Sequence, residues 1–358
     1  MNSVPRIGVV GTGWWATQFH IPSLVAYEGA ELVALADVDS QNLEAAGSHF
    51  GIESRYGSGE EMFASADLDA VVIAVPHVYH YPLVRAALEA DLHVLIEKPM
   101  VLKAADGWDL VDLAANRDRH LIVGSTYQYT RHAPRCREFV GGGEIGELLF
   151  VTGLFASMVE SYYRGQIEDY RPVFDFPVTG PQPDTYADPA IAGGGQGFTQ
   201  VSHAAGLILG TSDARAVEVS SFMENRDLSV DLVDALSFRL DNGAIGTIGS
   251  TGSLRPGQPQ QQEFRYYGTE GYLLQDLMAG TVEIHRNGTD AVERLEPLTP
   301  EELYPAAEPT RRLADLAAGK DVLAADGASG AAAVEFLEAA YLAADEKRTV
   351  AVSELLST

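Results

Sequence analysis

The stretch RIGVVGTGWWATQFH, Arg6 to His20, constrains this chain more than any other. A β-rich apolar run, Arg6–Val10, breaks at Gly11-x-Gly13-x-x-Ala16 and resumes as a helical pattern. Glycine at the first position permits a tight turn, and glycine at the second lets a pyrophosphate reach the backbone. The third position needs only a small residue for close helix packing, which Ala16 supplies. The helix start then offers free amides and its dipole to phosphates. Glycine-rich turns are common, so the context decides. Asp37 closes the next strand, 21 residues beyond Ala16, where a carboxylate accepts hydrogen bonds from adenosine ribose hydroxyls and repels a 2′-phosphate. The expected ligand is therefore NAD rather than NADP, held by Gly11, Thr12, Gly13 and Asp37. Trp14 and Trp15 follow directly; one is expected to fill core and the other to wall the nicotinamide.

Beyond this turn the first third alternates apolar strand runs (Glu31–Ala36, Ala70–Val75, His93–Glu97, Leu121–Gly124) with Ala- and Leu-rich helical segments (Gln41–Phe50, Tyr81–Ala90, Ala104–Asn116). Strands apolar on both faces, each followed by a helix, predict a doubly wound parallel sheet. Near residue 127 the plan changes to strands with tight connections: Leu148–Phe155, Ala216–Phe222, Val233–Leu240, Ala244–Thr251, Glu263–Tyr267 and Thr281–His285. LDNGAIG and HRNGTD are hairpin signals, the Asn-Gly pair of the first suiting a type I′ turn. The predicted class is α/β with a second, α+β domain: residues 1–126 for the dinucleotide, and 127–358 for substrate and self-association. Helices are expected at Pro309–Ala318 and Ala328–Lys347. Ser161–Gly194 shows no period, and a loop of that length with several tyrosines reads as a functional wall.

A length of 358 residues fits two domains. The excess of 51 acidic over 24 basic side chains, a formal −27, repels phosphate backbones and anionic lipids. Nucleic-acid and membrane-surface binding are thereby excluded as expectations. The single cysteine, Cys136, rules out an intrachain disulfide and a cysteine metal cluster; no metal is expected. Without a signal-peptide pattern or a long apolar run, a cytoplasmic location is expected.

Two further motifs carry chemistry. LHVLIEKPM ends a buried strand in Glu97-Lys98-Pro99. The carboxyl end of a parallel strand is where such sheets place ligands, and a proline can lock the lysine there in a sharp turn. GGGQGFTQVSH leads into a buried helix with Thr199 and His203 one turn apart, on one face.

Taken in order, GTGWWA, ALADVD, AVPHVYHYPLVRAALEADLHVLIEKPM, GEIGEL and GGGQGFTQVSH resemble the Gfo/Idh/MocA oxidoreductases, the family of glucose-fructose oxidoreductase and inositol dehydrogenase. The resemblance spans most of the chain. It implies a Rossmann domain and a C-terminal domain with an open, largely antiparallel sheet that mediates homodimers or homotetramers. It places cofactor contacts also at Val75, Pro76, His77, His80, Glu97 and Lys98, although His77 stands where the family often has Asn. It further implies an Asp and a His facing the substrate opposite the lysine. Here the His is His203 but the Asp position is Thr199, which cannot take a proton near neutral pH; Asp184 or Asp188 in the preceding loop is a candidate replacement.

The implied activity is NAD-dependent oxidation of a secondary hydroxyl of a sugar, glycoside or cyclitol. His203 takes the proton, Lys98 steadies the alkoxide, and Thr199 orients substrate or base. Tyr127, Gln128, Tyr162, Tyr163, Arg164 and Asp188 are candidates for lining the sugar pocket. The alternatives are an NAD-dependent redox-assisted glycosidase of the same fold, an NADP-linked aldose or dihydrodiol dehydrogenase, and a non-catalytic cofactor sensor.

Overall fold

Two sheets organise the chain in a computed structural model that describes residues 4–356. The first is parallel throughout and runs β3-β2-β1-β4-β5-β6. Its strands are β1 (Arg6–Val10), β2 (Glu31–Ala36), β3 (Arg55–Tyr56), β4 (Ala70–Ile73), β5 (His93–Ile96) and β6 (Leu121–Val123). This is the doubly wound order, reversing between β1 and β4, so a crevice opens beyond the carboxyl ends of those two strands. Helices Ser40–Phe50, His80–Glu89 and Ala104–Asn116 cover the faces, and residues such as Val72, Ile73, Leu95 and Ile96 are wholly buried.

The second sheet orders β14-β13-β12-β11-β7-β10-β9-β8-β15. Its members are β7 (Leu148–Ala156), β8 (Ala216–Glu224), β9 (Val233–Leu240), β10 (Ile245–Thr251), β11 (Gln261–Gly268), β12 (Gly271–Asp276), β13 (Thr281–Arg286), β14 (Val292–Arg294) and β15 (Val350–Ala351). All neighbours are antiparallel except β7 and β10. Burial alternates residue by residue along β9 and β10. One face packs under the helices Ser202–Ser212 and Gly327–Glu346 and the other is open. The open face carries Leu149, Leu154, Phe222, Val233 and Ile245, all exposed.

The last two long helices tie the sheets together. Helix Glu308–Ala317 buries Leu313 and Ala314 against the first sheet's core. In helix Gly327–Glu346, Ala331 and Val334 face the first core while Phe336, Leu337 and Ala340 face the second.

The hairpin between β9 and β10 forms, but not with a type I′ turn. Leu240 pairs with Ala244 around the three residues Asp241, Asn242 and Gly243, and only Gly243 takes positive φ, at 90°. A third loop residue moves the left-handed position to the glycine alone. Cys136 is buried, which pushes its thiol up to about 12, as for an inert packing residue. Among the described residues no helix is long and apolar enough to cross a membrane.

Candidate functional site

A cavity of about 1150 Å³ lies along the β1/β4 crevice and continues to the helix that follows the glycine run of the second domain. At its floor Gly11 has φ +91°, and a Cβ there would lie 2.2 Å from the Ala74 carbonyl oxygen. Gly13 differs: a Cβ would meet nothing within 4 Å, so its backbone faces open cavity where a pyrophosphate would lie. The following chain opens with a π-helical turn, Ala16–His20. Asp37 stands at the rim, one carboxylate oxygen accepting from the Thr12 amide (2.6 Å) and hydroxyl (2.8 Å) and the other from the Asp39 amide (2.9 Å). The carboxylate is thus fixed where ribose hydroxyls would meet it, and Thr12 acts through it. Val75, Pro76 and His77 line the cavity beside it. His77 donates from Nδ1 to the Ala192 carbonyl (2.8 Å), and burial lowers its pKa to about 3, so the ring is neutral. His80 does not reach the cavity. It is fully buried between the carbonyls of Pro99 (2.8 Å) and Val75 (2.9 Å), bracing the two turns.

Glu97, Lys98 and Pro99 follow β5, and the Lys98–Pro99 peptide bond is cis. Glu97 is buried and accepts from Trp15 Nε1 (2.9 Å), while His20 Nε2 lies 2.8 Å away. Burial acts to raise its pKa, but the hydrogen bond and charge of His20, with Lys98 and Trp15, hold it below the usual carboxylate range. Lys98 sends its ammonium to the Thr199 carbonyl (2.9 Å). Desolvation lowers its pKa to about 8, opposed by Glu97.

His203 faces Lys98 across this space. It is buried, stacks on Phe155 and meets Tyr127 and Tyr304 edge-on. Its Nδ1 has no partner. Burial and then the Lys98 charge hold its pKa well below 6.5, so the imidazole is neutral and able to accept a proton. The Thr199 hydroxyl donates to the Gly195 carbonyl (2.8 Å) and accepts from Tyr163 (2.5 Å). Both its bonds are spent on the protein, and its part in the site is to hold Tyr163 and, through its carbonyl, Lys98.

The glycine run is imposed by the side chains and backbone packed against it. A Cβ on Gly195 would lie 2.0 Å from the Asp231 carbonyl oxygen, and on Gly194 or Gly197 it would collide with the Tyr341 hydroxyl. The buried Asp231 carboxylate accepts from the amides of Gly195 (2.7 Å) and Gly197 (2.7 Å) and from Tyr341 (2.6 Å). Orphaning such a buried donor costs about 1–3 kcal/mol. Asp231 therefore seats the turn that presents Thr199 and His203.

Of the sugar-pocket candidates, Tyr127, Tyr162 and Tyr163 line the cavity. Gln128 points away, to Ser329 (3.3 Å). Arg164 is exposed and paired with Asp227 (2.7 Å) and Glu160 (2.7 Å). Asp188 is exposed and caps the short helix Pro189–Ala192 through the Ala190 amide (2.9 Å), and Asp184 is exposed too. Neither carboxylate lines the cavity or replaces the acid missing at Thr199. Trp14 and Trp15 both line it; Trp14 is the more buried, stacking on Tyr162 and meeting Phe174 and Phe176 edge-on. Sequence reasoning missed Tyr186, Gln262 and Tyr304, which also face the cavity. None sits in a motif; long-range packing alone brings them in. Among the described residues no three His, Cys, Asp or Glu side chains gather as a metal site.

Comparison with known proteins agrees with this layout. Residues 5–125 match the description "Oxidoreductase family, NAD-binding Rossmann fold", and residues 134–274 match the GFO/IDH/MocA C-terminal domain. A D-xylose 1-dehydrogenase (NADP(+)) of Haloferax volcanii is 30% identical over 269 residues, 74% of each chain. A 1-carboxy-3-chloro-3,4-dihydroxycyclohexa-1,5-diene dehydrogenase of Comamonas testosteroni is 28% identical over 69% of this chain and 58% of its own. For several curated relatives the matched region spans only about half their length. A levoglucosan dehydrogenase solved with NADH and levoglucosan shares the fold, with a TM-score of 0.79 at 18% identity, covering 97% of this chain and 99% of that one.

Proposed function

This chain belongs to the Gfo/Idh/MocA oxidoreductase family, and on that premise we propose that it oxidises a secondary hydroxyl of a sugar, glycoside or cyclitol with NAD. One observation carries the reading: the cradle at Gly13 and Asp37 opens into the same cavity as Lys98 and His203. Relatives that act on D-xylose and levoglucosan support the substrate class. Residues 1–126 would hold the dinucleotide, and residues 127–358 would supply the substrate pocket and the surface for self-association.

Gly11, Gly13, Asp37 and the turn Val75–His77 would hold NAD, which supplies the hydride acceptor when bound. The chain's own residues handle the proton and the charge. Neutral His203 takes the proton of the reacting hydroxyl. The Lys98 ammonium, held near by the Thr199 carbonyl, steadies the oxygen as it becomes an alkoxide. Thr199 acts as a positioning residue, with Tyr163 fixed on its hydroxyl. The carboxylate at Asp37 favours NAD, since a 2′-phosphate beside it is repelled.

The test is NADH appearance over a panel of sugars, glycosides and inositols, run in parallel with NADP. Turnover is expected with NAD and at least one panel member; reduction of NADP alone, or of neither cofactor, contradicts the proposal. The exposed apolar side chains on the open face of the second sheet support a homodimer or homotetramer, and a monomer by light scattering would refute it.

A further inference from the structure

The cavity wall also bears on the substrate's identity, and this inference rests on the dehydrogenase reading above. Among the described residues that line the cavity, Lys98 is the single Lys or Arg, and it is already bonded to the Thr199 carbonyl. Asp37, Asp39, Glu60 and Glu97 line it as well, and burial keeps His77 and His203 neutral. A phosphate or nucleoside diphosphate on the substrate finds one cationic partner there, the Lys98 ammonium that the proposed reaction commits to the reacting oxygen.

Two other buried polar atoms in the wall lack partners, Gln262 Oε1 and the Tyr162 hydroxyl. Both oxygens are sealed from the cavity as it stands, and because unpaired buried groups are costly, rotation of either side chain onto a ligand hydroxyl is favoured. Around them, Phe19, Phe174, Met158, Met278 and Leu303 come from separate segments and stay half-buried on the same cavity. A free sugar or cyclitol is ringed by hydroxyls along its edge, and those meeting this rim would be desolvated without compensation.

We propose that the substrate is an uncharged glycoside, its sugar ring held by Lys98, His203, Gln262 and Tyr162 and its apolar, aryl-like aglycone resting on Phe19, Phe174, Met278 and Leu303. The experiment compares phenyl and methyl glycosides of glucose, galactose and xylose in both anomers, with glucose 6-phosphate and myo-inositol, on the NAD-loaded protein. For the preferred sugar, kcat/KM for the phenyl glycoside exceeds that for the methyl glycoside by about tenfold or more, and the phosphate and the cyclitol are poorer still. Phe174→Ala combined with Leu303→Ala brings the phenyl-to-methyl ratio toward one. Gln262→Ala lowers kcat/KM for both glycosides alike. Equal or better turnover of the methyl glycoside, the phosphate or inositol overturns the inference and leaves the dehydrogenase reading standing. Binding is read separately by tryptophan fluorescence in the presence of NAD. Phenyl glycosides that bind tenfold tighter than methyl ones but yield no NADH uphold the substrate class and overturn the reaction; no binding by any glycoside overturns both.

Discussion

In the proposed mechanism Lys98 answers two opposed demands: it must be desolvated enough to act on an alkoxide, yet keep its proton. Desolvation brings its pKa to about 8, so the ammonium persists at neutral pH and is lost as pH rises through that value. We therefore expect kcat/KM for oxidation to decline above about pH 8. Lys98→Ala should abolish that limb and cost roughly 10²-fold or more in turnover, with NAD affinity by calorimetry largely retained. Unchanged turnover would make Lys98 a bystander. On the acid side His203 stays neutral far below 6.5, so no acid limb belongs near ordinary imidazole pKa values. Thr199→Asp, adding a carboxylate one turn away, should move a limb up toward neutrality. Behind the turn, Asp234 is buried beside Asp231, and burial raises its pKa to about 9. The folded state thus holds a proton that the unfolded chain releases near pH 4. Asp234 stabilises the fold fully below that pH, and the contribution disappears as pH rises toward 9. Asp234→Asn should flatten this decline in Tm between pH 5 and 9; parallel Tm–pH curves would refute a protonated Asp234.

Among the elements, the segment between β7 and the glycine run is the one whose order owes least to periodicity. Tyr162 stacks on Tyr170 with centroids 3.7 Å apart, Tyr170 donates to the Met158 carbonyl (2.6 Å), and Trp14 joins the cluster from the dinucleotide turn. Because that cluster lines the cavity, bound NAD and glycoside should slow amide exchange and proteolysis across residues 161–194. Identical protection with and without ligands would reduce the segment to surface. Its aromatic residues were visible in the sequence, but its short helical turns were not, since contacts distant in sequence create them. The same limit hid β3, β14 and β15, each two or three residues long. By contrast β1, β2 and β9 were legible to the residue, because an unbroken or alternating run of apolar residues marks each. The glycine run was legible as a special turn, yet its cause, the Tyr341 hydroxyl and Asp231, lies far along the chain. Lys98 and His203 were legible as motif positions; Gln262 and Tyr304 reach the cavity by tertiary packing alone.

At the scale of the whole molecule, the cavity depends on both sheets: Gly13 and Asp37 follow strands of one, Gln262 lies on β11 of the other with His203 on the helix Ser202–Ser212 packed over it, and helix Gly327–Glu346 packs into both cores. Neither half carries the proposed chemistry alone. That chemistry removes one hydride and one proton from a single carbinol and leaves a ketone. Its most direct test follows a glycoside deuterated at the reacting carbon through a turnover with NAD. One deuterium is expected on the nicotinamide ring and one keto product for each reduced cofactor released, both formed roughly 10²-fold or more slowly in Lys98→Ala. Free sugar and aglycone with no net reduced cofactor would contradict that chemistry and show instead a glycosidase that oxidises and re-reduces its sugar in place.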